Sequence, residues 1–139
     1  MKLKASLALA FGLLSGMAYS ATDLVIATVN NRQMVEMQKL GKFFEQANPD
    51  IKLKWLVLEE GVLRARVTTD IATKGGQFDV MTIGMYETPI WGKKGWLQEV
   101  KTDAAYDVDD LLPAMRNGLS VDGKLYAVPF YGEDRKSVV

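Results

Sequence analysis

The sequence predicts an α/β fold, an open and mostly parallel sheet flanked by helices. Three observations support this. Short runs of β-branched and aliphatic residues alternate with longer stretches of helical periodicity, in the order strand, helix, strand, helix, strand. The first apolar run is nearly unbroken, as in a strand covered on both faces. Finally, 48% of the 139 residues are hydrophobic, which is too apolar for a disordered chain and enough for about one domain.

The elements can be placed in order. Asp23 to Val29 (DLVIATV) reads as the first strand. Gln33 to Ala47 reads as a helix, with Met34, Met37, Leu40, Phe44 and Ala47 at steps of three and four and a stop at Asn48-Pro49. Ile51 to Leu58 (IKLKWLVL) alternates and then turns wholly apolar, making a second strand. From Glu60 to Thr73 the positions Leu63, Val67 and Ile71 recur every four residues, and Lys74 with Gly75-Gly76 closes this second helix. Phe78 to Ile83 is the third strand. Beyond it, Pro89 to Lys94 suits a short helix and Asp109 to Asn117 another. Asp122-Gly123 is a hairpin turn between Leu119–Val121 and Lys124–Val128.

The first twenty residues are expected to be a secretory signal peptide. Lys2 and Lys4 precede an uncharged apolar core from Ala5 to Ala18, and Ala18-Tyr19-Ser20 has small residues at the cleavage positions. That core falls short of the about 20 residues a membrane span needs. Its removal leaves a mildly acidic chain, and export implies an extracytoplasmic location, the periplasm.

Composition narrows the chemistry. The 17 basic and 17 acidic residues balance, with no basic run, which argues against nucleic-acid binding. The chain has no His and no Cys, so disulfides, the usual zinc sites and Cys or His catalysis are excluded. Gly118-Leu119-Ser120-Val121-Asp122 approaches a nucleophile elbow but lacks the final glycine. Neither G-x-x-x-x-G-K-[ST] nor G-x-G-x-x-G occurs. Asp109 and Asp110 are adjacent, so on a helix they point apart and make a poor glycosidase pair. The case for an enzyme is weak on these residues, and no catalytic, cofactor or metal site is expected.

In open α/β sheets, ligands gather beyond the carboxyl ends of the strands. Asn30-Asn31-Arg32, Glu59-Glu60-Gly61 and Gly84 to Thr88 should therefore share one edge, a polar rim of amides, carboxylates and a phenol. Each candidate also has a plainer role. Asn30, three residues before Gln33, suits a helix cap, which is compatible with facing a ligand. Glu59 and Glu60 suit the first turn of the second helix. Tyr86 and Glu87 read equally as a solvated loop. Trp55, Trp91 and Trp96 read as core or interface filler, and Arg64 and Arg66 as the outer face of their helix, with the rim as the alternative for one of the two.

Three stretches carry a family resemblance: VIATVNNRQMVEMQKLGKFFEQANPDIKLKW, LEEGVLRARVTTDIATKGGQFDVMTIGMYETPIWGKKGWLQEV and DLLPAMRNGLSVDGKLYAVPFYGE. From about Asp23 to Glu133 the chain resembles the N-terminal part of periplasmic solute-binding proteins of sugar ABC transporters. Within them it is most similar to the sorbitol/mannitol-binding branch of the family-1 extracellular solute-binding proteins. The most specific pieces are Arg66 through Thr88 and the hairpin ending Ala127-Val128-Pro129. The resemblance implies two α/β lobes that close over a polyol or sugar, no catalysis, and a monomer that delivers its ligand to membrane-bound permease subunits. It implies ligand contacts from Asn30, Asn31, Glu60, Tyr86 and Glu87, and from Tyr131 and Glu133 past the hairpin. Gly61 stands where this branch often has Asn. A neutral polyol needs no cationic anchor, which fits the few Lys and Arg expected on the rim.

The resemblance places residues 21–133 in a partial N-terminal lobe, without the second lobe. Asp134 to Val139 departs from the family pattern and can be encoded by GAT CGG AAG AGC GTC GTG, which matches a common sequencing-library adapter. The tail 134–139 is therefore expected to be non-native, with Asp as the alternative native residue at position 133. The runner-up functions are an oligosaccharide- or polyamine-binding lobe of the same fold and, in another class, a secreted α/β hydrolase.

Overall fold

The computed structural model describes residues 21–132, so the expected signal peptide, Glu133 and the tail 134–139 lie outside the described residues. Strand β1 (Thr22–Val29) is central, flanked by β2 (Ile51–Leu58) and β3 (Val80–Met81) in the order β2-β1-β3. Both pairings are parallel. β1 and β2 run in register from Thr22↔Ile51 to Val29↔Leu58, and β3 meets β1 at Ile26↔Val80 and Ala27↔Met81. This central position explains the apolar sequence of β1, whose Ile26, Ala27 and Thr28 are buried.

Helix α1 (Arg32–Ala47) connects β1 to β2, and α2 (Glu60–Thr73) connects β2 to β3. Leu63 and Val67 of α2 are buried in one cluster with Ala27 and Trp91, and Ile71 packs at its margin. α1 approaches β2 closely at Gly41, where a Cβ would stand 3.1 Å from Leu53 Cδ1. Its expected apolar stripe is only partly used: Met34 is buried, whereas Leu40 and Phe44 are exposed.

The expected third strand, Phe78 to Ile83, is shorter in the structure because a side chain replaces part of its ladder. The Asp79 carboxylate accepts a hydrogen bond from Val25 N (2.8 Å), and Asp79 N donates to Val25 O (3.0 Å). The loop before it is held by Asp70, which is buried and accepts from Gln77 N at 3.1 and 3.2 Å. Gly75 lies against that carboxylate so closely that a Cβ there would overlap Asp70 Oδ1.

Past β3, α3 (Glu87–Lys93) begins two residues before Pro89, where the sequence reading starts it, and buries Trp91. The expected helix Asp109 to Asn117 is split. Short 3-10 turns span Ala104–Tyr106 and Val108–Asp110, and α4 (Pro113–Gly118) starts at the proline. Proline disfavours helical geometry in the residue before it, and Leu112 is accordingly extended (φ −50°, ψ 128°). Asp122 and Gly123 both have positive φ (50° and 78°) and turn β4 (Ser120–Val121) into β5 (Lys124–Leu125), the expected hairpin with shorter strands. Among the described residues no helix is long and apolar enough to cross a membrane.

Candidate functional site

Because β1, β2 and β3 are parallel, their carboxyl ends emerge on one edge. Asn30 N donates to Leu58 O (3.1 Å), joining the ends of β1 and β2, and Thr82 N donates to Ala27 O (3.0 Å) on the other side. The turns at Asn30, Glu59 and Gly84 therefore line one rim.

The first turn differs from expectation in one residue. The cap of α1 is Asn31, not Asn30. Asn31 is extended (φ −134°, ψ 168°), and its Oδ1 accepts from Met34 N at 2.8 Å. Asn30 still belongs to the strand's hydrogen bonding and cannot also start the helix; its side chain is exposed. The other end of the Asn31 amide reaches 100 residues along the chain, donating from Nδ2 to Tyr131 Oη at 2.6 Å. Tyr131 is in turn stacked edge-on against Phe130, with ring centroids 5.6 Å apart.

The second and third turns are tied by an arginine. Glu59 caps α2, accepting from Gly61 N (2.9 Å) and Val62 N (3.3 Å). Glu60, in the first turn, pairs with Arg64 (Nη2 to Oε1, 3.2 Å). Arg64 Nε lies 3.0 Å from Glu87 Oε1, and Glu87 Oε2 accepts from Gly84 N (3.1 Å). Glu87 is thus a buried anchor of the third turn and not a solvated loop residue. Tyr86 beside it is 77% exposed, presenting its ring to solvent.

Beside the amides, carboxylates and phenol expected there, the rim carries a cation. Arg64 stands between the two carboxylates, whereas Arg66 fits the outer-face assignment, its guanidinium over the Phe78 ring (5.8 Å). The signal for Arg64 was present as the i,i+4 spacing Glu60–Arg64; what sequence could not supply was the approach of Glu87. Trp91 is core, as expected, while Trp96 is exposed with Lys94 over its ring. Among the described residues no group of His, Cys, Asp or Glu is arranged to hold a metal ion.

Two clefts begin at residues of these turns, at Glu59 and Gly61 and at Arg32. One, of about 670 Å³, follows the outer flank of α2 from Glu59 to Gln77. The other, of about 480 Å³, separates the start of α1 from Phe130. Asn31 with Tyr131, and Glu60 with Glu87 through Arg64, form two contact clusters at the strand ends.

Residues 28–137 match the family of bacterial extracellular solute-binding proteins. The chain belongs to this family. It is 60% identical over 132 residues to a mannitol-binding protein of Pseudomonas aeruginosa, covering 94% of this chain and 30% of that protein. The fold is similar to that of an ABC transporter solute-binding protein from Agrobacterium vitis with bound D-mannitol. The TM-score there is 0.75 at 62% identity, over 78% of this chain and 27% of the other. A ribitol complex of a solute-binding protein from Agrobacterium radiobacter gives a TM-score of 0.70 at 27% identity, over 81% and 29% of the two chains. The α/β architecture expected from the strand and helix alternation is thus that of part of a protein of this family. The chain spans less than a third of the length of these relatives.

Proposed function

We propose that this chain supplies one wall of the ligand cleft in an extracytoplasmic polyol-binding protein that passes mannitol, sorbitol or a similar sugar alcohol to an ABC permease. In this reading residues 1–20 direct export to the periplasm, and residues 21–133 form the partial N-terminal lobe. The contacts come from Asn30, Asn31, Glu60, Tyr86, Glu87, Tyr131 and Glu133.

The observation that supports this reading is that two contact clusters, Asn31 with Tyr131 and Glu60 with Arg64 and Glu87, follow the carboxyl ends of adjacent parallel strands. Polyol hydroxyls donate to carboxylates and accept from amides, and hydrogen bonds to ionised groups are the stronger ones. The exposed Tyr86 ring suits the apolar C–H edge of such a ligand. High identity to a protein that holds D-mannitol supports the same ligand class.

The test joins residues 21–132 to the remainder of the Agrobacterium vitis protein, restoring the length of the relatives. Isothermal titration of this chimera with mannitol, sorbitol, ribitol and maltose should give saturable binding of the hexitols. A ligand present at 100 times its Kd should add about 2.7 kcal/mol to stability. Preference for maltose, or no hexitol binding, would overturn the reading.

A further inference from the structure

We infer that the flank of α1 facing β3 is a docking groove, and that its occupant is an amphipathic helix from the remaining length that the relatives have and this chain does not span. α1 lies over β2, where Gly41 meets Leu53 and Trp55. Trp55 stands opposite Ile26, and Ile26 opposite Val80, so these three residues share the face of the sheet that α1 covers. Met81, one residue on, faces the other side and packs against the cluster of Ala27, Leu63, Val67 and Trp91. At about 100° per residue, Met37, Phe44 and Leu40 all fall to one side of Gly41. A right-handed crossover from β1 to β2 turns that side towards β3. Met37, Leu40 and Phe44 therefore form a wall and Val80 the floor. Phe130 stands at the mouth, where it shares the cleft of about 480 Å³ with Met37 and Leu40.

Leu40, Phe44, Val80 and Phe130 are 55%, 42%, 46% and 47% exposed, an apolar surface of the kind that marks an interface. Ile26, beside Val80 on the same sheet face, is buried, so the covering layer stops at β3. Sheets of this class are covered by helices, and packed helices lie about 8–10 Å apart. A helix beside α1 at that spacing sits over Val80 and buries it together with the wall. Two facts name the occupant. This chain covers only 30% and 27% of the length of two relatives, so most of such a protein lies outside it. Tyr131 is also bonded to Asn31 at the start of α1, so chain continuing past Gly132 departs from the mouth of the groove. Residues 133–136, Glu-Asp-Arg-Lys, are four consecutive charges and cannot fill an apolar groove themselves. The occupant should carry apolar residues at i, i+3, i+4 and i+7, over at least about two turns, to match the wall from Met37 to Phe44.

The test uses the chimera with the remainder of the Agrobacterium vitis protein, which restores that length. This chain has no cysteine, so single cysteines report their own surroundings once any in the added part are replaced by serine. Reaction with an aromatic disulfide reagent should be at least about tenfold slower in L40C and F44C than in F43C. Phe43 is the control because it points away from the sheet and is 56% exposed. A p-benzoylphenylalanine in place of Phe44 should, on irradiation, crosslink within the molecule to a peptide beyond the junction. Hydroxyl-radical footprinting of the unsubstituted chimera, comparing Leu40 and Phe44 with Phe43, gives the same reading without a substitution. Equal reactivity or labelling at all three positions would overturn the inference. So would protection that disappears on dilution, or crosslinks formed only between molecules, which would make the occupant a second copy. No polyol is needed for these measurements, so a chimera that fails to bind hexitols would remove the polyol reading and leave this inference to its own result.

Discussion

The Asn31–Tyr131 contact joins the first strand turn to the last described segment, and breaking it has a calculable cost. Asn31 makes two bonds from one amide: Oδ1 accepts from Met34 N at 2.8 Å and Nδ2 donates to Tyr131 Oη at 2.6 Å. Ser at position 31 retains a cap acceptor and loses the long-range donor; Ala loses both. A part-buried neutral hydrogen bond contributes about 1 kcal/mol and an N-cap about another 1 kcal/mol. Asn31→Ser should therefore destabilise by about 1 kcal/mol and Asn31→Ala by about 2 kcal/mol. The assay is urea unfolding of the chimera, with amide exchange at Met34 reporting the cap separately. Exchange there should quicken in Asn31→Ala and stay slow in Asn31→Ser. Combining Asn31→Ser with Tyr131→Phe isolates the pair, and the two changes should couple by about 0.5–1.5 kcal/mol. Additivity within about 0.3 kcal/mol would refute a Tyr131 anchored through Asn31.

Other consequences follow from the same geometry. Gly75→Ala should cost at least about 2 kcal/mol, because its Cβ displaces the buried Asp70 carboxylate from Gln77 N; a thermal melt no different from wild type would contradict this. Gly92→Ala should cost about 1–3 kcal/mol in the same melt, since its Cβ would press on Val121 Cγ2 at 3.0 Å and the Tyr126 ring at 3.2 Å. Glu87→Gln should keep the bond from Gly84 N but lose the charge facing Arg64, weakening polyol binding by calorimetry more than it lowers the melting temperature. The chain on its own should bind a hydrophobic dye and refold poorly, because Leu40, Phe43, Val80, Leu112 and Phe130 are exposed; clean two-state refolding without dye binding would contradict that.

Much of the fold was legible where the apolar pattern and burial coincide, as in β1 and α2; along α1 they part, since Leu40 and Phe44 are exposed. β2 and α2 end where the apolar pattern ends, at Leu58 and Thr73, and Leu63 and Val67 face the sheet as their spacing requires. Legibility failed wherever a side chain took over a backbone's work. Asp79 ends the β3 ladder by bonding Val25 N, and nothing in FDVMTI announces it. Pro113 breaks the helix expected from Asp109 to Asn117, although the residue before a proline carries that warning in the sequence. At the rim, strand order placed the turns correctly, since parallel strands must end on one side. The pairwise partners were harder. The cap shifted from Asn30 to Asn31 because backbone pairing with β2 runs one residue further, and Glu87 found Arg64 across two turns that sequence spacing does not relate.

The most direct measurement is a crystal structure of the chimera grown with D-mannitol. The account requires mannitol hydroxyls at hydrogen-bonding distance, about 2.5–3.2 Å, from Glu60, Glu87 and the Asn31–Tyr131 pair. Mannitol held entirely by the other lobe, with this rim facing bulk solvent, would contradict it.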